Sequence, residues 1–426
     1  MENTDNMSDN MNRINSAAIT GPFADANLGD YAMLVNNIYD LNIKDIVLFS
    51  YDRKFLDVIS NDYLQDYNIS IIDVCLEDGL QELWKSGNHR ATIAFELLSM
   101  VENYEELVRV IQGSDVLIVS GGGYLNGLWS MPHRIARLIS IIAPILIARK
   151  LDKQIFFTSN SFGPFGEDSE FFTCLFGILD DVTLCCRDNL FSPMWLRQIG
   201  VDSSRTKYMP DDLFSINRGL LELETHNNIE SERYIVLESY LPVDYFAENA
   251  DSLKIFSKRI YEKHGLSIVF LPFHLEHGGV DQAEYLQTVL SHYEYLDIAL
   301  KGYLPIQDAV EIIRNAELVV SSRYHALVLA LSCGTPVVNV LKDVLGDKRY
   351  YYNKSSGMLR EALKGTAFDE RLYLGSDYLE ALTSIAEGYD TIIAEQAKIY
   401  DDLYVLNKER LTSIRLDRLS EIAGER

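Results

Sequence analysis

The chain has 426 residues, with 38 Lys and Arg against 63 Asp and Glu, for a formal net charge of −25. A field of that sign opposes binding to nucleic acid or to an anionic membrane surface, so a small anionic substrate needs a local cationic site. The length suits two domains, the composition is globular, and an odd set of cysteines without a CxxC pair (Cys75, Cys174, Cys185, Cys186 and Cys333) suits a reducing compartment.

Residues 1–15 are polar and acidic, lack an apolar signal core and read as a flexible tail. Residues 17–20 predict a short strand before Gly21-Pro22, and 30–38 a helix. Residues 45–50 and 70–74 predict strands. The continuous apolar run 115–120 predicts a buried strand leading into Gly121-Gly122-Gly123. Ser130 and Pro132 predict the opening of a helix that ends near 150. Its apolar part, 135–148, contains Arg137 and Pro144 and is too short to span a bilayer. A strand over 154–159 leads to Gly163-Pro164, and one over 182–185 ends at Arg187-Asp188. Ser192-Pro193 predict an N-cap and first turn for a helix closed by Gly200.

The acidic, polar stretch 220–233 marks a domain boundary. Beyond it the pattern predicts strand 234–237, a long helix ending at His264-Gly265, strand 267–271, helix 281–292, strand 297–301 and helix 306–315. Strand 318–320, a polar turn, helix 326–333 and strand 337–340 complete the round, with Gly334 and Pro336 stopping the last helix. From 377 the chain is helical and is expected to fold back over the first domain. The domains are therefore expected at 16–225 and 226–376, with a tail at 1–15 and C-terminal helices at 377–426. Such alternation predicts parallel sheets covered by helices, an α/β fold.

The turn Ser321-Ser322-Arg323-Tyr324-His325 stands at the carboxyl end of a parallel strand and the start of a helix. Free N–H groups and the helix dipole favour anions there, and Arg323 and His325 add a cation and a proton donor. An Arg paired with a local acid and a His capping a helix fit the same pattern. Asn27-Leu28-Gly29-Asp30 opens the first helix, where Asp30 suits either an N-cap or a general base. Gly121-Gly122-Gly123 lets a backbone approach a ligand but lacks the spaced dinucleotide fingerprint. Arg187 is open to pairing with Asp188 or Asp211. His274, Glu276, His277 and Asp281 cluster near a strand end without metal-ligand spacing.

These pieces, in this order, resemble the polysaccharide pyruvyl transferase family over about 19–359. The matching residues are Asn27-x-Gly29-Asp30, the run 115–123 ending in three glycines, Gly163-Pro164, Arg187-Asp188 with Ser192, Pro210-Asp211, Ser322-Arg323-x-His325-Ala326, Gly334-x-Pro336 and Lys342. Tyr124 departs from the small residue usual after the glycines. The resemblance implies two Rossmann-like domains with a central cleft, as in two-domain (GT-B type) glycosyltransferases. It also implies transfer of the pyruvyl group of phosphoenolpyruvate onto two hydroxyls of a sugar, as a cyclic ketal in cell-surface or exopolysaccharide biosynthesis. By that pattern Arg187 and Arg323 hold the donor's phosphate and carboxylate, His325 is the general acid and Asp30 takes a proton from the sugar hydroxyl. Gly29, Gly121, Gly122, Gly123 and Tyr324 line the substrate site. Phosphoenolpyruvate and a free or lipid-linked saccharide are the expected partners, with no metal, resident cofactor, nucleic acid or transmembrane segment, in the cytoplasm or at the inner face of the membrane. A nucleotide-sugar glycosyltransferase of the same fold and a non-catalytic sugar- or anion-binding module are the alternatives.

Overall fold

The apolar runs of the sequence become strands of three sheets in a computed structural model, which describes residues 14–86, 94–275, 279–296, 302–344 and 347–423. The chain divides into two units. The first holds the described residues up to Asp25, Met33–Asp212 and those from Ser413 onward; the second holds Ala26–Ala32 and Leu213–Thr412.

In the first unit β1 (Ser16–Thr20), β2 (Asp45–Ser50), β3 (Asn68–Asp73), β4 (Val116–Val119) and β6 (Gln154–Phe157) form a parallel sheet in the order β3-β2-β1-β4-β6. A second parallel sheet continues it: β5 (Gly122–Leu125), β7 (Asn160–Phe162), β8 (Leu184–Cys186) and β9 (Thr206–Tyr208). β4 is Val-Leu-Ile-Val and wholly buried, as a parallel strand covered on both faces must be. The helix Ile135–Lys150 is apolar nearly all round and buried along most of its length, which makes it part of the core and excludes a surface position.

In the second unit β10 (Tyr234–Leu237), β11 (Ser267–Phe270), β12 (Tyr293–Glu294), β13 (Leu318–Ser321), β14 (Val337–Val340) and β15 (Leu374–Gly375) form a parallel sheet in the order β12-β11-β10-β13-β14-β15. Both units are Rossmann-like, with helices connecting parallel strands.

Several local expectations shift. Ser130 stands in a turn and donates to Asp168 Oδ2, and the helix begins at Ile135. Ser192 lies inside the helix Phe191–Gln198, whose N–H groups are capped by Asp188. The helix Arg349–Ala362 was not anticipated. The division between units falls at Asp212, ahead of 220–233. Residues 377–412 stay with the second unit: the helix Tyr378–Ile399 is tied to β14 by Gln396, whose side chain accepts from Val337 N at 2.8 Å and donates to Val337 O at 2.9 Å. The stretch 297–301, most of the N-terminal tail, Glu276 and His277 lie outside the described residues. Among the described residues, no helix is long and apolar enough to cross a membrane.

Candidate active site

In the second unit β13 ends at Ser321, and Arg323 sits in extended conformation (φ −102°, ψ 137°) at the N-cap of the helix Tyr324–Cys333. Gly334, with φ +77°, ends that helix. The turn is held on every side. Asn339 of β14 donates to Ser321 Oγ at 3.0 Å and to Arg323 O at 3.3 Å, and Ser355 Oγ donates to Asn339 Oδ1. The N–H of Tyr240 donates to Ser322 Oγ at 2.9 Å. Glu238, just past the end of β10, accepts from Ser322 N (3.0 Å) and Arg323 N (2.9 Å) on Oε2 and from Arg323 Nε (2.8 Å) on Oε1. Glu238 is 1% exposed. Burial pushes its carboxyl above the usual carboxylate range, and the Arg323 guanidinium and the N–H groups oppose that rise.

The same unit contains the first turn of the helix Leu28–Leu41. Leu28 N donates to Phe273 O at 2.8 Å, and Asn27 forms a bridge with the buried His274. A Cβ added to Gly29 would lie 1.7 Å from His325 Nδ1, so only glycine lets this backbone rest on the imidazole. Asp30 follows and accepts from Asn27 Nδ2 at 2.7 Å. Gly29, Asp30, Arg323, Tyr324 and His325 are thus brought together. The Tyr324 ring stands edge-on to His325, with centroids 5.2 Å apart, and Lys354 Nζ lies 5.3 Å from the Tyr324 ring centre. Lys342 Nζ is 4.1 Å over the ring of Tyr240.

In the first unit Arg187 follows β8 and is 1% exposed. Its Nε donates to Ser161 Oγ, and its Nη1 donates to Asp211 Oδ2 at 3.0 Å, so a buried carboxylate already balances its charge. Asp188 is a capping residue: Oδ1 accepts from Leu190 N and Ser192 N, both at 3.0 Å. Its carboxyl is raised by burial and held back by those donors. Gly121 joins β4 to β5, and a Cβ there would lie 2.3 Å from Asp212 Oδ2 and 2.6 Å from Ser159 O. The close approach of this glycine is therefore to the protein's own carboxylate and carbonyl. Gly122 is hydrogen-bonded to Ser159 O, and Gly123 O accepts from Asn126.

Asp212 is fully buried, accepts from Thr158 Oγ1 at 2.9 Å, and is pushed up to about 6 by burial, against the pull of Arg415. Arg415, from the helix Asp402–Ala423, is itself buried; it pairs with Asp40, donates to Asn37 Oδ1 at 2.7 Å, and lies 3.8 Å from Asp212 Oδ1. Sequence reasoning missed Glu238 and Arg415. The available signal for Glu238 was an acid directly after the apolar run 234–237, level with Ser321 across the sheet. Among the described residues no group of three or more His, Cys, Asp or Glu side chains is placed to hold a metal ion.

No curated protein matches the chain. Solved structures do. MnaA of S. aureus with UDP is 13% identical, with 94% of this chain and 95% of that one covered and a TM-score of 0.54. The UDP-GlcNAc 2-epimerase of Neisseria meningitidis bound to UDP-GlcNAc is 12% identical, with 94% and 99% covered and a TM-score of 0.52. HepE of Anabaena in complex with UDP-glucose is 9% identical, with 96% and 99% covered and a TM-score of 0.55. At these identities the likeness establishes the fold, two Rossmann-like α/β domains. The polysaccharide pyruvyl transferase family model matches residues 27–341, a span that includes Asp30, Arg187, Arg323 and His325, and the chain belongs to that family.

Proposed function

We propose that this protein uses phosphoenolpyruvate as donor and forms a cyclic pyruvate ketal on two hydroxyls of one sugar during polysaccharide biosynthesis. The observation that carries this reading is the packing of Gly29 on the His325 ring. Gly29 is followed directly by Asp30, the proposed base, and His325, the proposed acid, lies on a turn that carries Arg323 and opens a helix. Family membership supplies the transferase class.

In this reading the donor's anionic groups approach Arg323 and the start of the helix Tyr324–Cys333. A guanidinium has five N–H donors in a planar fork that matches a carboxylate or phosphate, and the bond from Nε to Glu238 holds one side of that fork. His325 protonates the methylene carbon of the donor, which becomes a methyl group and leaves a cation stabilised by the adjacent oxygen. A sugar hydroxyl attacks the cationic carbon, the one that bears the phosphate oxygen, and gives its proton to Asp30. The carbon–oxygen bond to phosphate then breaks, the second hydroxyl closes the ring, and its proton leaves with phosphate. Each step uses residues on one turn and one helix start.

The test is phosphate release from phosphoenolpyruvate with a panel of free and lipid-linked sugars, with the sugar product checked by mass spectrometry for one ketal-linked pyruvyl group. Activity that ignores phosphoenolpyruvate and requires a nucleotide sugar would select a glycosyltransferase instead. Binding of sugar or anion without turnover of either donor would select a binding module.

A further inference from the structure

We propose that Glu238 is the positioning residue for Arg323, fixing the guanidinium and the turn that opens the helix Tyr324–Cys333 so that Arg323 meets an anion already oriented. The inference rests on the reading of Arg323 as the donor's cationic contact. Glu238 is well built for the task. Its backbone continues the β10–β13 ladder, with Glu238 N donating to Val320 O at 2.8 Å, so its Cα is fixed by the sheet. Its carbonyl accepts from Tyr378 OH at 3.1 Å. Its carboxylate is then tied to the adjacent strand end by two backbone N–H groups, leaving Oε1 as a fixed acceptor for Arg323 Nε. A long arginine side chain loses much rotamer freedom when it binds. Here that freedom is already lost before the anion arrives, which is how preorganisation raises affinity.

Two effects of Glu238 on an anion compete. The anchor helps, while the negative charge, a short distance away, repels. Glu238→Asp separates them, because it keeps the charge and shortens the side chain by one methylene, so the carboxylate can no longer span both N–H groups and Nε. The probe is inorganic phosphate by calorimetry, alongside steady-state turnover of phosphoenolpyruvate, in wild type, Glu238→Asp, Arg323→Ala and the double variant. Glu238→Asp is expected to weaken phosphate binding and raise KM for the donor by about tenfold or more, the scale of one charged hydrogen bond, with kcat changed far less. In the Arg323→Ala background the same substitution is expected to have a much smaller effect, since the bond to Nε is already gone and only the loosening of the two backbone N–H contacts remains.

Phosphate affinity in Glu238→Asp equal to wild type, or a loss that adds in full to that of Arg323→Ala, overturns the inference. Wild-type phosphate binding in Arg323→Ala overturns the reading of Arg323 and this inference with it. Phosphate binding that follows the expected pattern without phosphoenolpyruvate turnover upholds the inference and rejects the donor. Should Glu238→Asp fail to fold, the wild-type protein carries the test by nitrogen-15 NMR of the Arg323 Nε–H. That signal is expected to stay protected from solvent exchange when phosphate is added, and its collapse to solvent-limited exchange overturns the proposal.

Discussion

At the scale of single residues, the candidate chemistry depends on contacts without slack. Gly29→Ala would drive a methyl group into the His325 ring, since the added carbon would lie 1.7 Å from Nδ1. Overpacking of this kind costs about 1–3 kcal/mol, and here it also displaces the proposed acid. We expect a lowered melting temperature and a fall in turnover larger than that temperature shift explains, measured side by side. His325→Ala and Asp30→Ala are each expected to lower turnover about 10²- to 10⁴-fold at saturating phosphoenolpyruvate, with the fold intact by circular dichroism. Full activity in His325→Ala rejects its role as acid. Asp212 makes a prediction about pH. Its folded value of about 6 lies above the ordinary 3.8 because burial disfavours the charged form. Its contribution to stability is therefore complete below about pH 4 and is lost as pH rises through about 6, a difference on the order of 3 kcal/mol. Asp212→Asn mimics the neutral form. Its melting temperature relative to wild type is expected to rise between about pH 4 and pH 8, and a difference independent of pH contradicts the assignment.

At the scale of elements, the residues around Arg187 hold structure. Asp188, next to Arg187, caps the helix Phe191–Gln198, and Asp188→Ala is expected to cost about 0.5–2 kcal/mol in urea unfolding. Asp211→Ala leaves Arg187 buried without that carboxylate, and is expected to cost about 3–5 kcal/mol, more than the lost cap. The elements themselves were legible where a local pattern suffices. The strand Val337–Val340 between Pro336 and a polar stretch, and the helix Ile306–Asn315 with apolar residues on one face, match their expected bounds. The strand over 182–185 was legible and appears, shifted slightly, as β8, whereas β5 (Gly-Gly-Tyr-Leu), β7 (Asn-Ser-Phe) and β9 (Thr-Lys-Tyr) are three or four residues long and carry no apolar run to mark them. The Arg323-x-His325 turn was legible because Gly334 and Pro336 frame it. The clamp by Glu238 was not, because it is made across two strands separated by more than eighty residues of sequence.

At the scale of the whole molecule, the alternation of strands and helices announced the two parallel α/β units, since a parallel sheet needs a crossover after each strand. The expected return of the C-terminal helices to the first domain applies only from Ser413 onward, and the alternation did not announce that part of the first helix belongs with the second unit. Residues Ala26–Ala32 belong to the second unit, where Gly29 rests on His325, while the last helical turns, with Arg415, Leu419 and Ile422 buried, belong to the first. Removing 413–426 should therefore leave Asp40 and Asp212 without their buried cation, and the truncated chain is expected to lose more than about 3 kcal/mol or to be recovered insoluble, judged by chemical unfolding of the soluble fraction. The central claim concerns the donor, and one measurement meets it most directly. Purified protein is given phosphoenolpyruvate labelled in its pyruvyl carbons and a panel of free and lipid-linked saccharides, and both phosphate and labelled sugar are counted. The account predicts that, with an accepted sugar, phosphate and ketal-linked label appear in equal amounts and that both depend on His325. Phosphate without labelled sugar, or sugar transfer that proceeds from a nucleotide sugar and leaves phosphoenolpyruvate untouched, would contradict it.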